Sequence, residues 1–262
     1  MKKIFGILFF LFFVGIVSAQ DIAAIEKKLN HSFHRIQYWY DAINDHKNAY
    51  DSLYAANKNF EKMLHQYGSN PQTLNHDFKT LKREGVKIST SEDGKFRIYS
   101  WDTLTGGTMH FYRYVFQYEA GKKVKAEISD TNMEDDSESL YYKVNDVVSE
   151  GKRYYLTQNH AVYSNALLYY TVKFFTIENG QLKSDAKLIK TPTGLQNELT
   201  CELDFSATVN QNNPITYEDY KNLNLRYDPK KQIISIPLVL DNSKITTRRV
   251  RYQFNGKYFE KL

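Results

Sequence analysis

Apolar positions in this chain change their spacing near residue 85, and that change divides the chain in two. From Asp21 to about Arg83 they recur every three or four residues, as on one face of a helix. Ile22, Ile25, Leu29, Phe33, Ile36, Tyr40 and Ile43 form a first stripe. Tyr50, Leu53, Phe60, Leu64 and Tyr67 form a second, which Gly68-Ser69-Asn70-Pro71 brings to a stop. Leu74, Phe78 and Leu81 predict a short third helix over Gln72–Arg83, closed by Gly85. These stripes predict a helical hairpin or small bundle that buries its apolar side against the remainder of the chain.

Beyond Gly85 the pattern becomes strand, turn, strand. Asp93-Gly94, Ala120-Gly121, Glu150-Gly151, Asn179-Gly180 and Asn255-Gly256 each lie between β-branched or aromatic runs. Asp-Gly and Asn-Gly supply the positive φ angles of tight hairpins. Asp228-Pro229-Lys230-Lys231 marks a sixth turn, and Pro237 predicts an edge or a bulge in the strand after it. Residues 190–222, with Pro192, Gly194 and Pro214, read as a long excursion holding one clear strand. The reading is an α+β fold in which a helical segment (20–85) precedes an antiparallel β-meander (86–262). About ten to twelve strands follow from the hairpins. A barrel, sandwich or propeller-like arrangement, closed or nearly so, would hide their edges.

The first nineteen residues belong to neither region. Met1-Lys2-Lys3 is a basic start, Ile4–Val17 is apolar, and Val17-Ser18-Ala19 presents small or branched residues to a peptidase. This is the pattern of a secretory signal peptide cleaved after Ala19. The run is shorter than the ~20 residues that span a hydrocarbon core. No cysteine near the cleavage site offers a lipid anchor, and no later stretch is apolar enough for a membrane span.

Composition adds little that is specific. The 21 Tyr and 16 Phe against 2 Trp favour strands. The formal net charge of +5 falls by the two leader lysines and is spread along the chain, which argues against nucleic acid. Arg248, Arg249 and Arg251 form the nearest basic cluster, and in a strand they divide between two faces of a solvated edge. The single cysteine, Cys201, excludes an internal disulfide. Its alternation with Leu199, Leu203 and Phe205 predicts a buried core thiol.

Candidate chemistry is sparse. The most distinctive segment runs from Ser91 to Gly107, through Arg97-Ile98-Tyr99-Ser100-Trp101-Asp102-Thr103-Leu104-Thr105-Gly106-Gly107. Its Asp-Gly, apolar strand, Trp-Asp and Thr-Gly order is similar to a WD-type propeller strand. It occurs once, however, Ser100 and Tyr99 intervene between Ile98 and Trp101, and no Gly-His pair precedes it. Continued through the aromatic strand to Tyr118, the segment resembles a group of uncharacterised exported proteins of the Bacteroidota. That resemblance implies a Gram-negative envelope and carries no activity. Within the segment Trp101 is a candidate stacking platform, with Asp102 and His110 as polar partners. Thr105, Gly106 and Gly107 are candidates to bring backbone close to a ligand. The structural alternative gives Trp101 to the core and Asp102 and the glycines to a turn.

His160, read as lying in a loop, is a candidate base without a nucleophile motif beside it. His31 and His34 have a helical spacing that suits a shared metal, but no third ligand is evident and both read as surface residues. The acidic run Asp130–Glu138 has oxygen ligands for calcium, but Asp135 and Tyr141 stand where an EF-hand needs Gly and Glu. It reads as a hairpin tip. No cofactor fingerprint is present.

The leading expectation is therefore a soluble exported envelope protein, periplasmic or secreted, that binds a ligand or partner without catalysis. The alternatives are a hydrolase acting on glycans or peptides through carboxylates distant in sequence, and a structural partner in an envelope complex.

Overall fold

The computed structural model describes residues 2–128 and 139–262, and their side chains from residue 22 onward. The leader side chains and the acidic run Asp130–Glu138 lie outside the described residues. Four helices come first: α1 (Lys2–Asp41), α2 (Ala49–Gly68), α3 (Pro71–Leu74) and α4 (Lys79–Glu84). α1 and α2 double back on each other as the stripes predict, with Ile25, Leu29, Ile36, Leu53, Phe60 and Leu64 all buried. Tyr40, Ile43 and Tyr50 depart from that expectation and are exposed. α1 ends at Asp41, so these residues sit where the hairpin turns and its inner face has run out.

The expected third helix is broken in two. Phe78 is left-handed, with φ 47°, and its ring stacks edge-on against Tyr99 at 5.8 Å. The break frees the carbonyls of Thr73 and His76. Both accept hydrogen bonds from the buried Arg97 guanidinium, at 2.7 and 2.6 Å. Tertiary contacts thus outweigh local helix preference here.

The remaining chain forms three sheets. The first is an antiparallel meander of β1 (Lys87–Thr90), β2 (Phe96–Asp102), β3 (Tyr112–Ala120) and β4 (Lys123–Ile128). The second is built on β5 (Leu140–Ser149), β6 (Lys152–Ser164) and β7 (Leu167–Glu178), with β8 (Gln181–Lys183) on part of β7. The chain then makes β9 (Ile189–Thr191), β10 (Gly194–Gln196) and β11 (Glu198–Asp204), the last returning to pair with β7. Two short helices, α5 (Thr208–Gln211) and α6 (Tyr217–Tyr220), lead to β12 (Arg226–Asp228), β13 (Ile233–Val239), β14 (Ile245–Phe254) and β15 (Phe259–Lys261). These four strands with β9 and β10 make the third sheet, antiparallel except where β15 runs parallel to β9.

The layers stack in order: helices, first sheet, second sheet, third sheet. β2 shows why. Tyr99 and Trp101 join the helical core, whereas Phe96 and Ile98 join a cluster with Tyr141, Val144, Tyr155 and Phe175 of the second sheet. The opposite face of the second sheet gives Leu156, Val172 and Phe174 to a core shared with Ile234, Tyr252 and Phe259 of the third. This layering is an α+β fold whose later part is β-rich. Of the three expected arrangements it is the sandwich-like one, and among the described residues no strand pairing closes a sheet into a barrel. Strands that are apolar on both faces are covered by stacking, so the sheets stay open.

All six predicted turns join consecutive strands. The described residues hold fifteen strands rather than ten to twelve, the excess coming from three-residue strands that leave too short a pattern to read. Residues 190–222 likewise contain most of β9, β10 and β11, not one strand. Pro237 marks a bulge, since β13 lies between β12 and β14 and its register slips between Pro237 and Val239. β15 pairs only with Tyr252–Phe254 of β14, so the arginine-bearing stretch before it has β13 as its strand neighbour on one side: there Arg249 donates to the carbonyls of Asn222, Asn224 and Ser235, while Arg248 and Arg251 are exposed. Among the described residues no helix is long and apolar enough to cross a membrane.

Candidate functional site

β2 ends at Asp102 and β3 begins at Tyr112, and the two residues are paired in register. The loop between them folds tightly on itself. The Thr103 and Thr105 hydroxyls are 2.7 Å apart, and both the backbone N–H and the hydroxyl of Thr103 donate to the Phe111 carbonyl at 2.9 Å. Leu104 is left-handed, with φ 59°. A Cβ on Gly106 would lie 2.0 Å from the Met109 carbonyl oxygen, so only glycine fits there.

This folding turns His110 back toward Asp102. The carboxylate accepts from the Leu104 N–H through Oδ1 at 2.8 Å and meets His110 Nδ1 through Oδ2 at 2.6 Å. An ionised carboxylate only accepts, so Nδ1 carries the proton in this contact. His110 is about half exposed, with 45% of its side chain open to solvent. Its backbone N–H donates to the Val162 carbonyl at 3.0 Å, fastening the loop to β6.

That contact brings His160 into the same group. Its ring centroid lies 5.6 Å from Tyr112, 5.8 Å from Tyr142 and 6.0 Å from Tyr170, and Tyr112 stacks on His110 at 5.9 Å. Burial lowers the His160 pKa below its ordinary value, and the nearby His110 and Lys87 push the same way against Asp102. Burial raises Tyr112, Tyr142 and Tyr170 above the usual phenol range, with Asp102 adding to the rise at Tyr112. At neutral pH the group therefore presents a neutral imidazole and protonated phenols beside one carboxylate–imidazole pair.

Of the residues singled out by sequence, Asp102, His110 and His160 come together. Trp101 does not join them. It is fully buried, its indole N–H donating to Asn57 Oδ1 at 3.0 Å and its ring packed on Phe60 at 5.0 Å. A side chain so enclosed has no face left for stacking, which removes it as a platform. Thr105 is buried and its carbonyl accepts from the Tyr50 hydroxyl, so it shapes the loop from within. Gly106 allows the loop's close approach, and Gly107 is exposed at its tip.

His160 lies within β6, not in a loop, because the turn falls later, between Ser164 and Leu167. Tyr112, Tyr142 and Tyr170 were not legible as site residues. Tyr142 is the extra residue of a bulge between Tyr141 and Lys143, which periodicity cannot place.

Other polar groups are structural. Asp93 and Asp146 are both bound by Arg153. Asp146 also accepts the Glu92 and Asp93 N–H groups, and Asp93 the Tyr155 hydroxyl. This network locks the first turn of the first sheet to the second sheet. Among the described residues no group of three His, Cys, Asp or Glu is placed to hold a metal ion. His31 and His34 are exposed, and His34 lies 3.8 Å from Glu84. Cys201 is a buried core thiol, its pKa pushed up to about 11 by burial. No family model matches this chain, and no curated protein or solved structure matches it either.

Proposed function

We propose that this chain is exported, is cleaved after Ala19, and acts in the envelope or outside the cell as a soluble protein that binds a neutral, hydroxyl-bearing ligand such as a glycan. The observation that carries the reading is the half-exposed His110, paired to Asp102 and set against His160 and the partly exposed Tyr142 and Tyr170, with the buried Tyr112 packed behind them. Tyrosine offers a flat apolar ring with a polar tip. The His110 imidazole and the protonated phenols of Tyr142 and Tyr170 supply hydrogen-bonding groups for the hydroxyls of a ring-shaped ligand. No described hydrogen bond joins His110 to a Ser, Thr or Cys nucleophile, and the Asp93–Asp146 pair is occupied by Arg153. Both facts favour binding over hydrolysis.

The test is an oligosaccharide panel titrated into the protein and followed by imidazole resonances. Binding should move His110 and His160 and be lost in His110→Ala and Asp102→Asn, with the glycan recovered intact. Cleaved glycan would replace this reading with the hydrolase one. Export is tested separately: the protein recovered from the envelope or medium should begin at Gln20.

A further inference from the structure

A groove of about 640 Å³ opens on the solvent side of the α1–α2 hairpin, within the size range of small-molecule pockets. Its lining is almost wholly apolar although Lys27, Lys28, His31 and Arg35 contribute to it. Long basic side chains produce such a surface when their methylene stems form the wall and their charged ends reach outward. Ala24 and Met63 complete the wall. At the floor, Asn59 Nδ2 donates to Ser32 Oγ at 2.8 Å, so these polar groups satisfy each other.

The charged rim is the second observation. None of the described ion pairs uses Lys27, Lys28 or Arg35, and the nearby Glu26 is engaged elsewhere by His76 and the Thr80 N–H. Arg35 is held over the Trp39 and Tyr38 rings at 5.1 and 5.3 Å. Cations without counter-charges therefore border an apolar channel. We propose that this groove binds a soluble single-chain amphiphile with an anionic head, its alkyl chain along Ala24 and Met63 and its head among Lys27, Lys28 and Arg35. The site shares no residue with the Asp102–His110 group, and its existence does not depend on that reading.

The full chain, expressed with its own leader and purified in the form the cell accumulates, is labelled at its methionine methyls. It is then titrated with dodecanoate, methyl dodecanoate and dodecyltrimethylammonium. Dodecanoate should move the Met63 methyl and leave Met109 unmoved, with affinity falling as salt rises. Replacing Lys27, Lys28 and Arg35 together by Gln should weaken it at least about tenfold. Ala24→Trp should abolish it by filling the groove. Both variants alter exposed positions, so an unchanged thermal midpoint will show that the fold is intact. Equal binding of the ester or the cation, an unmoved Met63 or undiminished affinity in the triple variant would overturn the proposal. So would Met63 shifts that require phosphatidylglycerol vesicles and not free dodecanoate, because the occupant would then be a membrane surface.

Discussion

Glu61 on α2 and Arg113 on β3 meet as a buried ion pair, Oε1 lying 2.7 Å from one guanidinium nitrogen and 2.8 Å from Nε. Their side chains keep only 9% and 5% of their exposure. Removing Arg113 leaves the Glu61 carboxylate buried without the guanidinium that pairs it. Arg113→Ala should cost about 3–5 kcal/mol of folding stability. Replacing both residues with leucine should cost markedly less than the sum of the single changes. Urea unfolding of the two single variants and the double variant measures this. Additive losses would mean that the pair does not tie the helices to the first sheet.

Trp101 depends on Asn57 in a similar way. Asn57 accepts the indole N–H at 3.0 Å and donates to the Thr103 and Leu53 carbonyls at 2.9 and 3.0 Å. Asn57→Leu should strand the indole donor and take the side-chain donor from the Thr103 carbonyl, while the Leu53 carbonyl keeps its helical bond, for a loss of about 1–3 kcal/mol. Trp101→Ala should lose about 3–5 kcal/mol through the cavity it leaves. Denaturant midpoints test both changes. A negligible loss in either would return Trp101 to consideration as an accessible residue.

The same two residues show how far the sequence could be read. The stripes of α1 and α2 and the Gly-marked hairpins were legible because periods of 3.6 and 2 are set by local geometry. The three-sheet stack was not, because β2 and β6 are buried on both faces and carry no alternation to say which neighbour covers which side. Asp102 and His110 were found because they share one loop. Tyr142 and Tyr170 reach His160 through strand register and a bulge, which no linear spacing encodes. Trp101 stood out for its rarity, but rarity does not distinguish a core residue from an exposed platform.

His160 should make stability depend on pH. Its folded pKa is depressed from 6.5, first by burial and then by His110 and Lys87. The unfolded chain therefore binds the proton more readily. The contribution is fully present above about pH 6.5, the unfolded value, and declines as pH falls toward the lower folded value. The urea midpoint should drop between pH 7 and pH 5, and His160→Gln should flatten part of that fall. An unchanged slope in the variant would show that His160 is not the titrating group.

Gly106 should control the site without controlling the fold. The nearest atom to a Cβ there is a backbone oxygen, Met109 O at 2.0 Å, and no side-chain rotation can relieve that contact. The loop must reopen, and reopening moves His110, which follows Met109 directly. Gly106→Ala should break the Nδ1 bond to Asp102 while β2 and β3 remain paired, at a cost of about 1–3 kcal/mol. The imidazole proton shared with Asp102 gives the readout. Its resonance should shift upfield or exchange away in the variant, while backbone amides of Tyr99 and Val115 keep their positions. Gly107→Ala serves as the control, since a Cβ at that position meets nothing within 4 Å. If both variants retain the Asp102–His110 proton signal, the tight fold of this loop is not what holds the pair together.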